Sequence, residues 1–512
     1  MPTLAHYLAW RVALDAPALE LDLADAGLDA ADLDAAAPRL HAALAAMERL
    51  EAGAIANPDE RRRVGHYWLR SPELAPEASI TAEIHASWEQ IERFSAAVRD
   101  GTITAPDGQP FREVLLVGIG GSALGPQLLV DALGGRLHVL DNTDPAGIAR
   151  TLAGLDLPHT LVLVTSKSGA TVETRNGMLE VAAAFTHHGL ALARQAVAIT
   201  GPGSSLDDLA REQRWLERFP LWDWVGGRTS VLATVGLLPA ALLGRDWRGL
   251  LRGAAAMDAA TRNRELRHNP AALLAHAWFA LTEGHGRKAM VVLPYADRLA
   301  LLAKYLQQLV MESLGKRHDR KGHEVWQGLT VYGNKGSTDQ HAYVQQLRDG
   351  RPDFFASFVR VLDDGIHDAI EVEPGVTSAD CLDGFYQGTR RALAEQGRRS
   401  ITLTLDRLDA PSLGAVLALF ERSVGLYAEL LDINAYHQPG VEAGKLAARA
   451  VLTLQRRLVA ALGPTPQDLE GLAAALASEP LAVWQIARRL ALAGRIRGEH
   501  LDDPAHARFA AP

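Results

Sequence analysis

The chain has 512 residues, enough for two or more domains, and 48% of them are hydrophobic, enough to build large cores. Its net charge of −9, without a long run of Lys or Arg, argues against a nucleic-acid partner, and its single cysteine, Cys381, excludes an internal disulfide framework and a cysteine-rich metal site. We find no signal-peptide pattern and no apolar run long enough to span a bilayer, so we expect a soluble, cytoplasmic protein.

The first half of the chain predicts a helical extension followed by an α/β domain. Residues 1–75 are rich in Ala and Leu with scattered acids and predict helices. From 76 to 250, short apolar runs alternate with helical segments, and the runs cover residues 113–117, 137–140, 161–164 and 197–200. Such alternation predicts a parallel sheet covered by helices on both faces.

The alternation restarts in the second half and predicts a second α/β domain over residues 251–410. Its candidate strands are residues 289–293, 329–332, 358–362 and 401–405. Residues 299–313 have the pattern of an amphipathic helix that stops at Gly315. Residues 411–512 predict a helical carboxy-terminal region. The fold class is therefore α/β, with two domains in tandem and helical regions at both ends.

Two loops that follow predicted strands have the composition of phosphate-binding turns. Gly118-Ile-Gly-Gly-Ser122 closes the first strand, and Ser166-Lys-Ser-Gly-Ala-Thr171 closes the third. Glycines let the backbone approach an anion closely, and the next helix directs free N–H groups at it. The second loop adds hydroxyls and an ammonium group, which suit a phosphate because charge-assisted hydrogen bonds are strong.

The first loop, taken alone, is also compatible with a dinucleotide-binding site. Gly118-x-Gly120-x-x-Ala123 nearly matches the Rossmann fingerprint, and Asp141 ends the next strand, where a ribose-binding acid would lie. The second loop has no place in that fingerprint. Hydroxyls from two strand ends favour a single phosphomonoester instead.

Six motifs, in order between about residues 115 and 450, resemble those of the glucose-6-phosphate isomerase family. The first two contain the loops and span Val117–Pro126 and Ser166–Thr174. The other four are Gly226-Gly-Arg-Thr-Ser230, Met311-Glu-Ser-Leu-Gly-Lys316, Gly336-Ser-Thr-Asp-Gln-His341 and Gln438-Pro-Gly-Val-Glu-Ala-Gly-Lys445. The resemblance implies two sugar-isomerase-type (SIS) domains, each a three-layer αβα sandwich with a parallel sheet. It implies a homodimer with shared active sites, no metal or organic cofactor, and a sugar phosphate as substrate.

The resemblance also implies the reaction, which interconverts glucose 6-phosphate and fructose 6-phosphate through ring opening and a cis-enediol, as in glycolysis and gluconeogenesis. Glu312 would be the base that moves the proton, with Glu442 as the next candidate. Arg228 would stabilise negative charge on the enediolate. His341, supplied by the neighbouring subunit, and Lys445 would open the ring. The substrate-binding residues would be Gly121, Ser122, Ser166, Lys167, Ser168, Thr171, Gln308 and Gln438.

The motifs depart from the family pattern at three places. Leu314 stands where the family commonly has Asn, Asp339 interrupts the string before His341, and Ser168 stands where relatives often have Thr. Two other functions stay open: a dinucleotide-binding oxidoreductase and a non-catalytic sugar-phosphate sensor built on the same domains. A sensor would need the two loops but not Glu312, Arg228 and the ring-opening pair together.

Overall fold

A computed structural model describes residues 2–366 and 369–512, with the side chains of residues 442 and 443 excepted. The chain forms two compact units, one that ends at His437 and one that spans Gln438–Pro512. Among the described residues, no helix combines the length and the apolar character needed to cross a membrane.

The first unit contains fifteen of the strands that the structure describes. In chain order they are β1 (Arg11–Asp15), β2 (Ala18–Asp22), β3 (Glu113–Val117), β4 (His138–Leu140), β5 (Thr160–Ser166), β6 (Ala196–Thr200), β7 (Glu217–Pro220), β8 (Ala289–Tyr295), β9 (Lys316–His318), β10 (Glu324–Gln327), β11 (Val331–Tyr332), β12 (Phe354–Asp363), β13 (Glu371–Glu373), β14 (Val376–Thr377) and β15 (Ser400–Arg407).

The helices of this unit cover the sheets and fill the space between them. They are α1 (Leu4–Ala9), α2 (Ala30–Glu51), α3 (Ala78–Arg99), α4 (Gly121–Ala132), α5 (Pro145–Ala153), α6 (Val172–His187), α7 (Ser205–Glu212), α8 (Thr234–Leu242), α9 (Trp247–Thr261), α10 (Pro270–Leu281), α11 (Leu302–Leu306), α12 (Val344–Asp349), α13 (Ser378–Glu395) and α14 (Ala410–Leu430).

The first sheet is fully parallel, with strand order β4-β3-β5-β6-β7. Its central strand β5 is buried at all seven positions, as expected where helices cover both faces. The four strands predicted in this region are confirmed. A fifth, β7, was not predicted; it has only one fully buried residue, Phe219, and so lacks an apolar run.

The second sheet has the order β1-β2-β15-β12-β8-β11. Strands β15, β12, β8 and β11 run parallel, as predicted, and β2 joins the edge antiparallel to β15. Helix α14 is buried along most of its length and packs against α9. The α/β class with parallel sheets is therefore confirmed.

The prediction of helices throughout the first 70 residues is wrong for the β1–β2 hairpin. Its high Ala and Leu content suggested a helix, but Leu19 and Leu21 alternate with polar residues and both are buried in the sheet. This period of two, next to Pro17 in the turn, is the signal of a hairpin. The domain boundaries after residues 75, 250 and 410 stay a prediction.

The second unit is small and has its own core. It consists of α15 (Pro439–Ala461), α16 (Leu469–Leu476), α17 (Pro480–Leu492) and an antiparallel sheet of β16 (Gln467–Asp468), β17 (Arg497–Glu499) and β18 (Arg508–Ala510). Leu458, Leu472 and Phe509 are fully buried in its core. The prediction of a purely helical region missed this sheet because its strands have only two or three residues.

Candidate active site

The two glycine- and hydroxyl-rich loops are neighbours at the carboxyl edge of the first sheet. Strands β3 and β5 pair in parallel, with Val117 opposite Val164, and each is followed at once by its loop. Ser166 is buried as the last residue of β5, and its hydroxyl donates to Thr171 Oγ1 at 3.1 Å. Topology thus brings together the loops that carry Gly121, Ser122, Ser166, Lys167, Ser168 and Thr171.

The first loop is in close contact with two other predicted site segments. A Cβ atom at Gly121 would lie 1.9 Å from the carbonyl oxygen of Gly227, so only glycine fits there. Gly120, which has a φ of 60°, lies beneath the side-chain amide of Gln308, whose Nε2 would be 3.1 Å from a Cβ at that position. The loop therefore packs against the segments that carry Arg228 and Glu312.

Arg228 is buried in a 3-10 turn (Gly227–Thr229), and main-chain carbonyls hold its guanidinium group. Its Nη1 donates to the carbonyl of Ala435 at 3.1 Å, and its Nη2 donates to that of His437 at 3.3 Å. Its Nε lies 3.6 Å from Glu312 Oε2. Because the guanidinium group of Arg228 stays protonated, it places a fixed positive charge beside the Glu312 carboxylate.

Glu312 is the last residue of a six-residue π-helical segment, Gln307–Glu312. It does not lie in the last turn of one continuous α-helix. The predicted α-helix over 299–313 is thus wrong in detail, since its α-helical part begins at Leu302 and is interrupted after Leu306 by the π-helical segment. Among the described residues, Glu312 Oε2 is buried without a hydrogen-bond donor. Single π-helical turns within helices are frequent at functional sites, and a buried acceptor without a donor is available to take a proton.

Lys167 extends away from the second loop and bonds to the chain that leads into the Arg228 turn. Its Nζ donates to the carbonyl oxygens of Asp223 and Val225, both at 2.8 Å. Burial and then the charge of Arg62 lower the pKa of Lys167 to about 8. The ammonium group thereby ties the second loop to the segment just before Gly226.

His341 is not joined to Glu312 or Arg228. It ends the 3-10 turn Thr338–His341, it is exposed, and within the described parts of the chain its imidazole makes no hydrogen bond or ion pair. The turn is held instead by Asp339, whose buried carboxylate accepts hydrogen bonds from the main chain and side chain of Asn334 and from the Tyr343 hydroxyl.

Gln438 and Lys445 belong to the second unit. Gln438 directly precedes α15, and Lys445 lies exposed on that helix. The side chain of Glu442, on the same helix, is outside the described residues. Of the predicted catalytic residues, the first unit therefore brings together Glu312 and Arg228.

Sequence reasoning missed Lys316 and a segment of the amino-terminal region. Lys316 is buried, and its Nζ donates to the carbonyl oxygen of Glu312 at 2.7 Å. Asp59 interacts electrostatically with Lys316, and Glu60 with Arg228. Lys316 is the last residue of the Met311–Lys316 motif, but in the sequence it has the pattern of an ordinary lysine after a helix. The sequence near Asp59 has no motif that indicates a site.

Two of the three departures from the family pattern, at Leu314 and Asp339, have structural explanations. Leu314 is fully buried in the main core, so an apolar residue fits its surroundings. Asp339 organises the turn of His341. Neither change removes a group from the Glu312–Arg228 contact.

Comparisons with known proteins agree on one family. The model of the family described as phosphoglucose isomerase matches residues 36–367 and 390–460. The glucose-6-phosphate isomerase of Citrifermentans bemidjiense is 57% identical over 469 residues, which are 89% of this chain and 88% of that protein. The enzyme of the same name from Synechococcus elongatus is 57% identical over 86% of both chains.

A solved structure has the same fold. The crystal structure of a glucose-6-phosphate isomerase from Chlamydia trachomatis matches with a TM-score of 0.80 and 26% identity, over 89% of this chain and 92% of that one.

Proposed function

The chain belongs to the phosphoglucose isomerase family and is an aldose–ketose isomerase acting on glucose 6-phosphate and fructose 6-phosphate; from this premise we propose how its residues carry the reaction. The observation that supports the proposal best is the pairing of a buried carboxylate oxygen that lacks a hydrogen-bond donor with a guanidinium group 3.6 Å away. This pair supplies a base and a stabilising charge in one place.

The two loops after β3 and β5 hold the phosphate in this proposal. The main-chain N–H of Gly121 at the start of α4 and the hydroxyls of Ser122, Ser166, Ser168 and Thr171 would surround its oxygens. Energy from binding this remote group can then be used to hold the sugar chain in a reactive geometry.

Proton transfer falls to Glu312. Its carboxylate takes a proton from the substrate carbon next to the carbonyl, which leaves a cis-enediolate, and returns the proton to the adjacent carbon. Arg228 stabilises the negative oxygen of that intermediate, and main-chain carbonyls already hold it in position. Gln308, above Gly120, would orient the sugar hydroxyls between the phosphate loops and the base.

Ring opening is assigned to His341 and Lys445, with Gln438 as a substrate contact, as the sequence motifs predict. We propose that the protein is a homodimer and that His341 acts in the neighbouring subunit's site. The exposure of His341 and its lack of bonding to Glu312 or Arg228 within the described residues support this arrangement. A cytoplasmic location, in keeping with one cysteine in 512 residues, remains part of the proposal.

A coupled assay tests the function directly. Fructose 6-phosphate is the only added substrate, and glucose 6-phosphate is followed with an excess of a purified dehydrogenase. We expect activity without any added cofactor and in the presence of a chelator. Loss of activity in chelator and recovery with a divalent metal would contradict this mechanism. A protein that binds fructose 6-phosphate without turnover would instead be a sensor.

A further inference from the structure

Lys316 supplies a hydrogen bond that the helix carrying Glu312 cannot provide for itself. The last carbonyl groups of a helix have no N–H partner within the helix. After the π-helical segment, the Gly315 N–H donates to the carbonyl of Met311 at 2.8 Å. The carbonyl of Glu312 receives the Lys316 ammonium group at 2.7 Å.

This lysine is placed where its charge is costly. It is 5% exposed; the charges of Glu312 and Asp59 attract it, and that of Arg228 repels it. Burial and then the charge of Lys316 lower the pKa of His437, a further titratable neighbour. Burial and then Arg228 lower the pKa of Lys316 to about 7. A lysine that only capped a helix could bond to the last carbonyls from the surface, with its charge in water.

The orientation of the Glu312 carboxylate depends on its main chain. Oε2 accepts no hydrogen bond from the described residues, so no donor to that oxygen fixes its direction. The nearest cation, Arg228 Nε, is 3.6 Å away, which is an ion pair rather than a hydrogen bond. The position of the main chain therefore contributes to where the carboxylate lies.

We propose that Lys316 is a positioning residue for the base: its ammonium group binds the main-chain carbonyl of Glu312 and thereby holds the carboxylate in line with the substrate beside Arg228. This inference rests on the proposed function of Glu312. A displacement of about 1 Å at a reacting group costs on the order of 10²-fold in rate, so a single anchor has a measurable effect.

Three variants test the proposal by steady-state kinetics with fructose 6-phosphate. Lys316→Met keeps the length but removes the donor, Lys316→Arg keeps a charged donor, and Lys304→Met is a matched control at an exposed lysine of α11. We expect Lys316→Met to lower kcat at least about 10-fold with KM changed less than about 3-fold. We expect Lys316→Arg to restore most of kcat and Lys304→Met to behave as the unmodified protein.

The pH dependence gives a second readout that does not need the Met variant to fold. As pH rises through about 7, Lys316 loses its proton and its bond to the carbonyl weakens, because charge-assisted bonds are roughly twice as strong as neutral ones. The unmodified protein should lose part of its kcat there. In Lys316→Arg this step should be smaller, since its donor stays charged and any remaining step comes from other groups that exchange protons near neutral pH.

The outcomes separate this inference from the function itself. An unchanged kcat in Lys316→Met overturns it. A fall of kcat and of thermal stability together with a rise of KM, which Lys316→Arg does not correct, also overturns it, because that pattern is purely structural. A step near pH 7 that keeps its full size in Lys316→Arg overturns it as well. If the unmodified protein does not isomerise fructose 6-phosphate, the proposed function itself fails.

Discussion

The Glu312–Arg228 region and the His341 turn lie in the same unit but are built in opposite ways. Arg228 is buried, bonded to two main-chain carbonyls and packed beside the base. The His341 turn is held by hydrogen bonds to the buried carboxylate of Asp339, while the imidazole of His341 is exposed. In the first region the candidate catalytic side chains are packed together, and in the second the candidate catalytic side chain is exposed to solvent.

This difference corresponds to two steps with different needs. Carbon acids are weak, so proton transfer needs a desolvated base next to a fixed charge, where electrostatic stabilisation is strongest. Ring opening needs a group that exchanges a proton near neutral pH, which histidine can do when exposed. In our proposal, a second subunit covers the exposed group and completes the site.

The largest expected effect comes from the packed region. Glu312→Gln keeps the shape of the side chain and removes its basicity, so turnover should fall by roughly 10²–10⁴-fold or more, the usual scale of general acid–base catalysis. Steady-state kinetics measures the fall, and exchange of the transferred hydrogen with deuterated water should disappear with it. Sorbitol 6-phosphate, which cannot isomerise, should still bind in a calorimetric titration.

Two results would argue against Glu312 as the base. Near-normal turnover in Glu312→Gln would assign proton transfer to another residue. Loss of sorbitol 6-phosphate binding together with turnover would indicate that Glu312 mainly holds the site together beside Arg228. The comparison between a packed catalytic region and an exposed one would then no longer hold.

The exposed region is tested by subunit mixing. Glu312→Gln and His341→Ala proteins should each be nearly inactive alone. After random subunit exchange, half of the dimers contain one chain of each variant. If His341 acts in the neighbouring subunit's site, each of these heterodimers has one intact site out of two. About one quarter of the unmodified activity should then return. A chain with both substitutions, mixed with either single variant, is the control that should restore none. Mixed dimers that form but stay inactive would place His341 in its own subunit's site.

A smaller effect is expected at the phosphate loops, which are only partly buried. Lys167→Ala removes an ammonium group bonded to two main-chain carbonyls, and Ser166→Ala removes a buried hydroxyl. For Ser166, loss of a hydrogen bond to the charged phosphate costs about 1.5–3 kcal/mol, or roughly 10–150-fold in affinity. For Lys167, we expect a fall in affinity of this size or less, because its ammonium group acts on the phosphate by charge and by tying the second loop to the chain before Gly226. Titration with sorbitol 6-phosphate measures it, with Thr186→Ala on the exposed face of α6 as the control. Equal affinities would remove these residues from the phosphate site.

The sheets were predictable because their central strands are short apolar runs, each ended by glycine or a polar residue. The β1–β2 hairpin was not, because Ala and Leu outweighed its alternation of buried Leu19 and Leu21. The π-helical form of residues 307–312 was also hidden, since an amphipathic α-helix and a π-helical segment of six residues share nearly the same apolar spacing.

The motifs located most of the candidate site, but they carried no information on burial. The closeness of Gly121 to Gly227 and of Glu312 to Arg228 depends on contacts between residues about 80 to 110 positions apart in the chain, which no local pattern records. Lys316 is an example of a buried contact that the motif did not predict. Its position in a motif was visible, but its buried bond to the Glu312 carbonyl was not.

An effect of comparable size is expected on stability, and it arises because the region around Glu312 and Arg228 contains the buried lysine Lys316. Burial lowers the pKa of Lys316 from 10.5 to about 7, so between these values the unfolded chain binds a proton that the folded chain does not. The free energy of unfolding should therefore rise with pH in this window, by at most about 1.4 kcal/mol per pH unit for this group. Lys316→Met removes the contribution, so the thermal midpoint of the unmodified protein should gain on that of the variant between pH 7 and pH 9. Lys304→Met should show no such pH-dependent difference, because that lysine is exposed in the folded chain. The difference in thermal midpoint between Lys316→Met and the unmodified protein would stay constant over this range if Lys316 kept its proton in the folded state. That result would mean that the region around Glu312 and Arg228 tolerates a fully charged ammonium group.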